Sequence, residues 1–197
     1  MYLLISWALI LTLLNNPIFG QSENIIVLTF DGAINPAAAD YIQQGIKEAE
    51  KNNSECIIIK LNTPGGLLKS TRVIVSEFLE SLVPVVVYVS PPGSQAASAG
   101  VFVTVAAHIA VMAPGTNIGA AHPVALEGQM DSVMTEKATN DAAAFIRTIG
   151  EKRKRNIGWC EDAVRKSVSI TETEAEKINV TEYDKEEYIK EKVADKL

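Results

Sequence analysis

One serine stands out by its neighbours. Ser98 is flanked by Ala96, Ala97, Ala99 and Gly100, so no bulky side chain keeps a substrate backbone from its hydroxyl. A helix beginning there would present free N–H groups and the positive end of its dipole beside the serine oxygen. The N–H of Ala99 is then one candidate donor to an oxyanion, and Gly66, which has no Cβ, is a second. The chemistry of such a set is nucleophilic attack on a carbonyl carbon. Taken alone, Ala-Ala-Ser-Ala-Gly also reads as a tight contact between a helix and a sheet. Neither Gly-rich segment is a phosphate cradle, since Gly-x-x-x-x-Gly-Lys-Ser/Thr and Gly-x-Gly-x-x-Gly are both missing from the sequence. His108, His122, Cys56 and Cys160 are scattered without metal-ligand spacing, so neither a metal nor a cofactor is expected.

The elements that must position these residues alternate along the chain. Ile25–Phe30 is a short apolar run ended by Asp31-Gly32, and Ala38–Lys51 follows with Ile42, Ile46 and Ala49 at helical spacing. Cys56–Leu61 is a second buried strand, which makes Cys56 a buried thiol and ends at Thr63-Pro-Gly-Gly66. The next helix is predicted to place Val73, Ile74, Phe78, Leu79 and Leu82 on one face, before the strand Pro84–Val89. A small-residue segment, Ala96–Ala107, leads to the strand Ile109–Met112. Apolar strands separated by amphipathic helices imply an α/β fold with a largely parallel sheet covered on both faces. In such sheets, sites form where strand carboxyl ends meet helix N-termini, as at Pro64-Gly65-Gly66 and around Ser98.

Composition narrows the classes further. The 197 residues are 47% apolar and 21% charged, enough for one domain, and the net charge of −6 argues against a nucleic-acid-binding face. Met1–Gly20 carries no charged side chain, and its apolar run is too short for a membrane span. It reads as a signal peptide or N-terminal anchor (residues 1–20), with export or membrane association as the consequence. A domain is expected over 21–180 and a charged tail over 181–197, with Thr171–Glu174 as a capping box. Lys152–Arg155 reads as the solvated end of a helix.

Three ordered motifs are more specific than any one of them. Asn62-Thr-Pro-Gly-Gly-Leu67, Ser94-Gln-Ala-Ala-Ser-Ala-Gly100 and Met112-Ala-Pro-Gly-Thr-Asn-Ile-Gly-Ala-Ala-His-Pro123 together resemble the ClpP/crotonase superfamily of serine peptidases. Within it, the sequence is similar to the NfeD family of membrane-associated proteases. The resemblance implies a ClpP/crotonase-like fold of repeated β-β-α units and a serine endopeptidase acting on hydrophobic segments of membrane-associated proteins. It implies Ser98 as nucleophile, Gly66 and Ala99 as oxyanion donors, and Lys137 as general base. Substrate contacts fall at Gly65, Leu67, Gly119 and His122, and the implied assembly is a homodimer or larger homo-oligomer.

The base has two candidates. An ordinary lysine is protonated near neutral pH, and only burial against apolar walls without a paired carboxylate makes it an acceptor. Val133, Met134 and Ala138 are the walls available to Lys137, while Glu136 is adjacent in sequence and does not face it. The competing reading of Lys137 is a solvated helix residue. His122 follows Ser98 by 24 residues, near the offset of a ClpP-type catalytic histidine. A triad would also need an acid, for which Asp131 and Asp141 are unmarked candidates; His108 reads as structural. The contrasting class is a crotonase-fold protein using the same pocket for binding or acyl-thioester chemistry. The small residues of Ala142–Ile146 suit either a subunit contact or the chain's own core.

Overall fold

The computed structural model describes residues 24–124 and 131–182. The N-terminal segment 1–20 and most of the expected tail therefore lie outside the described residues. In chain order the elements are β1 (Ile25–Asp31), α1 (Pro36–Lys51), β2 (Cys56–Asn62), α2 (Leu68–Glu80), β3 (Val85–Val89), β4 (Gln95–Ala97) and α3 (Ala99–Ala106). There follow β5 (Ile109–Met112), β6 (Asn117–Gly119), α4 (Ser132–Arg153), α5 (Ile157–Arg165), β7 (Ser169–Thr171) and α6 (Glu172–Lys177).

Four strands form a parallel sheet in the order β1-β2-β3-β5, as the apolar runs implied. Its register sets Ile57 beside Val85 and Val87 beside Ala110. Ile57, Ile59, Leu61, Val85, Val87 and Val89 join the main core, against Ile42 and Ile46 of α1 and Ile74 and Phe78 of α2. Alternation sends Cys56, Val86, Ile109 and Val111 to the other face, where they form a second buried cluster. That face opens toward β1, where Ile25 and Val27 are 40% and 51% exposed. The sheet is largely parallel and covered by helices as expected, with half-exposed side chains at its β1 edge.

Helix starts follow their caps. Asn35 accepts a hydrogen bond from the Ala38 N–H, and Pro36 occupies the first turn, where its missing N–H is harmless. Asp131 caps α4 through the Met134 N–H, and Thr171 with Glu174 forms the expected capping box. On α2 the buried stripe is Thr71, Ile74, Val75 and Phe78, whereas Val73 is 43% and Leu82 88% exposed. Leu82 falls past the helix end at Glu80, so it cannot share that face.

Other expectations are corrected by long-range contacts. Ala96–Ala107 is not one segment: β4 ends at Ala97 and α3 begins at Ala99. A second sheet, β4-β6-β7, is built from three-residue strands too short to show a period in sequence. The Lys152–Arg155 run is not solvated throughout. Arg155 is 6% exposed and bonds Glu182, while Arg153 donates to the carbonyls of Ala106 and Phe78, at the ends of α3 and α2. Those carbonyls have no partner within their own helices, and the guanidinium supplies one. Glu182, within the expected tail, is attached: its N–H donates to the Ala110 carbonyl at 2.7 Å. Ala142, Ala143 and Ile146 are buried within the chain's own core.

Candidate active site

Ser98 is the single residue between β4 and α3, with φ 50° and ψ −112°. Non-glycine residues rarely adopt that conformation, which costs on the order of 1–3 kcal/mol and persists only where the surroundings impose it. Here they do. Ser98 N–H donates to the Gly119 carbonyl at 3.2 Å, and Ala97 N–H to the Thr63 carbonyl at 3.0 Å. The pairing of Ala97 with Gly119 thus fixes the strand up to the turn, and α3 begins at once on its far side.

The Thr63-Pro-Gly-Gly66 loop lies against this turn. Gly65 has φ 119°, and a Cβ added there would come within 2.5 Å of the Ser98 Cβ, so only glycine allows the approach. Gly65 N–H donates to Thr63 Oγ1 at 3.1 Å, its carbonyl accepts from Ile34 N–H, and Leu67 N–H donates to the Ile34 carbonyl. The amides on either side of Gly66 are thus occupied. Among the described residues, the N–H groups of Gly66 and Ala99 have no hydrogen-bond partner. Both residues line one cavity with Ser98, and the Ala99 amide adds the positive end of α3.

That cavity has a volume of about 270 Å³. Its lining includes Leu67 and Leu68, Phe102 one helical turn beyond Ser98, Ala138 and Ala142 of α4, and Ala121, Pro123 and Val124. Among the described residues, Ser98 carries the only polar side chain on the lining. Such a space accepts an apolar side chain next to a hydroxyl and two free amide donors.

The remaining expected residues are placed less uniformly. Leu67 lines the cavity, and Gly119 is buried behind Ser98 as its backbone anchor. His122 is not among the lining residues; its Nδ1 meets the Val164 carbonyl at 3.0 Å and must therefore donate to it. Lys137 stands on the second turn of α4, next to the lining residue Ala138, and is exposed. It makes no ion pair among the described residues. The expected apolar wall is incomplete within one chain, since Val133 and Met134 are each 57% exposed. Asp131 is the α4 cap, and Asp141 bonds Arg72 at 2.6 Å. His108 has a structural bond, accepting at Nδ1 from the Val85 N–H.

Three contributors had escaped the sequence reading. Thr63, buried, bonds the Gly65 amide and sits under Gly100, where a Cβ would meet its methyl group. Phe102 was legible as the residue one turn after Ser98. Arg72 gave no signal; it lies 4.0 Å over the Phe145 ring, which stacks on Phe102 with centroids 5.6 Å apart.

Known proteins match this chain across its length. The NfeD1b N-terminal domain family matches residues 24–196. A membrane-bound protease of Pyrococcus horikoshii is 37% identical over 177 residues, covering 88% of this chain and 40% of that protein. Membrane protein NfeD1b of Bacillus subtilis is 31% identical over 101 residues, 51% of this chain and 22% of that protein. The chain thus spans well under half the length of either relative. Among solved structures, a serine-to-alanine variant of a membrane-bound stomatin-specific protease superposes with a TM-score of 0.79 at 35% identity, covering 85% of this chain and 84% of that one. A lysine-to-alanine variant of the same protease, in complex with a substrate peptide, superposes with a TM-score of 0.77 at 34% identity, covering 83% of this chain and 75% of that one. The family match over residues 24–196, which takes in the parallel sheet, the Gly-Gly loop and the serine at the strand-to-helix turn, shows that this chain belongs to the NfeD1b N-terminal domain family.

Proposed function

We propose that this domain is a serine endopeptidase with Ser98 as nucleophile, Lys137 as general base, and the amides of Gly66 and Ala99 as oxyanion donors. The observation that carries the reading is the strained Ser98 turn, which sets the hydroxyl on one cavity with two N–H groups that have no partner among the described residues, the rest of the described lining being apolar. Ser98 Oγ adds to the peptide carbonyl as its proton passes to the Lys137 amine. The carbonyl oxygen becomes an oxyanion held by the two amides, a contribution typically worth about 10²–10³ in rate per donor. Lys137 then returns the proton to the leaving amine, and water cleaves the acyl-enzyme by the same route. The residue types altered in the two solved variants, a serine and a lysine, support this choice.

The apolar lining favours substrates with a hydrophobic side chain at the cleaved position. Lys137 is exposed in the single chain, so the water around it must leave before it can act as a base. Val124, 76% exposed, with Val133 and Met134 forms an apolar rim that a hydrophobic substrate segment or a second copy of the chain would cover. A homodimer or larger homo-oligomer is proposed on that ground, and membrane-associated protein substrates on the names of the relatives, a membrane-bound and a stomatin-specific protease. The charge-free N-terminal segment fits an exported or membrane-anchored location.

His122 is the second reading, because a donating Nδ1 leaves its Nε2 as an acceptor. Fluorophosphonate labelling of Ser98 tests the whole assignment. Wild type is expected to label, Ser98→Ala not at all, and Lys137→Ala at a small residual rate. His122→Ala is expected to retain labelling, with a rate that rises above the histidine range of about pH 6–7. A fast Lys137→Ala with an inert His122→Ala would install the histidine as base. No labelling of folded wild type would favour the non-peptidase crotonase-type reading.

A further inference from the structure

Arg72 reaches from α2, the helix that follows the Gly-Gly loop, to α4, the helix that carries Lys137. Its Nη2 is 2.6 Å from Asp141 Oδ2, and its guanidinium lies 4.0 Å over the Phe145 ring. Asp141 is four residues after Lys137 on the same helix, the spacing at which side chains become neighbours. An unengaged Asp141 would be placed to pair with the ammonium and hold the proton on Lys137. We propose that Arg72 is a positioning residue for the base: it occupies the Asp141 carboxylate and so keeps Lys137 without an acidic partner.

The other charges near this end of α4 are already committed or turned elsewhere. Asp131 caps the helix through the Met134 N–H, and Glu136 is the preceding residue, on a different side of the helix. From α5, Glu161 bonds both Arg147 and Arg165, and Asp162 bonds Lys166. Packed α3 carries no charged side chain, and α2 brings Lys69 with Arg72, its Glu77 and Glu80 accepting from Gln43 and Ser76; the described part of the loop before α4 brings His122, held at Val164. Among the described residues, Asp141 is therefore the carboxylate that decides, and Arg72 is its partner. The pair is 40% and 64% exposed, so its worth to stability is small. Its effect lies in which cation the carboxylate serves. Arginine suits the task, because its planar group stays charged and is pre-organised by the ring beneath it.

The inference rests on the Ser98/Lys137 reading and is tested separately from it. The readout is the rate of fluorophosphonate labelling of the full chain against pH, with thermal melts of each variant as a control for folding. In Arg72→Met the rising limb is expected to move up by about one pH unit, a roughly tenfold loss of rate at a fixed pH on that limb. The double variant Arg72→Met/Asp141→Asn is expected to bring the limb back to wild type, and Arg72→Lys to leave it there. An unmoved limb in Arg72→Met overturns the proposal. So does a shift that persists in the double variant or is equally large in Arg72→Lys, since lost packing over Phe145 would then be the cause. Lys137→Ala labelling at the wild-type rate would sink the dyad itself; a slow Lys137→Ala with an unmoved Arg72→Met limb would sink this proposal alone.

Discussion

At the scale of single residues, the site depends on backbone that few side chains tolerate. Ser98 at φ 50° and Gly65 at φ 119° lie in contact, so the Ser98 turn and the loop beside it share one steric limit. Gly65→Ala adds a Cβ that meets the Ser98 side chain and forces a strained φ. It is expected to cut Ser98 labelling by about 10²–10³, the cost of a lost oxyanion donor, because the Gly66 amide moves with its neighbour. A companion melt is expected to show a loss on the order of 1–3 kcal/mol from the strain itself. Unchanged labelling in a folded Gly65→Ala would remove the loop from the mechanism. Ser98→Ala, in contrast, only deletes an oxygen and is expected to keep the wild-type melting temperature.

Between elements, the charged residues act as ties at helix ends more than as surface decoration. Arg155 has a side chain only 3% exposed, and Glu182 reaches it at 2.6 Å while also accepting from the Ala110 N–H. One carboxylate thus joins the end of α4 to the edge strand β5, where Glu182 itself pairs beside Val111. Glu182→Ala strands a buried guanidinium, for which the cost is about 3–5 kcal/mol, nearer the lower figure because the glutamate is 20% exposed. Urea denaturation is expected to register that loss. A change below about 1 kcal/mol would mean that water serves Arg155 as well as Glu182 does. Ser98 is remote from this tie in sequence, so labelling at temperatures where the variant stays folded is expected to continue.

Across the whole molecule, the two thiols set an alkaline limit. Burial pushes Cys56 from 9.0 up to about 11 and Cys160 up to about 12, so both are neutral in the folded protein at physiological pH. A raised folded value means that the unfolded chain loses the proton first. The stabilisation is complete below about pH 9 and declines as pH rises toward 11–12. Melts across that window are expected to fall less steeply in Cys56→Ala/Cys160→Ala than in wild type; identical slopes would assign the alkaline loss to other groups. A thiol reagent at about pH 8 is expected to react with neither cysteine until denaturant is added.

How much was legible follows from the range over which each interaction acts. The parallel strands, the helices between them and the cap at Thr171 are local patterns, set by apolar period and by a side chain three residues from an amide. Sequence by itself also marked Ser98, Gly66 and Ala99, because small residues at a strand exit leave a characteristic run. It could not show β6 and β7, whose three residues each are too few for any period, nor that Gly119 anchors Ser98 through them. It misread Arg155, since a basic run at a helix end looks solvated until a distant Glu182 is brought to it. Arg72 and Asp141 are 69 residues apart, and no spacing rule joins them. Only the tertiary structure decided which charges are spent on each other and which amides, among the described residues, are left without a partner, because both depend on contacts between residues far apart in the chain.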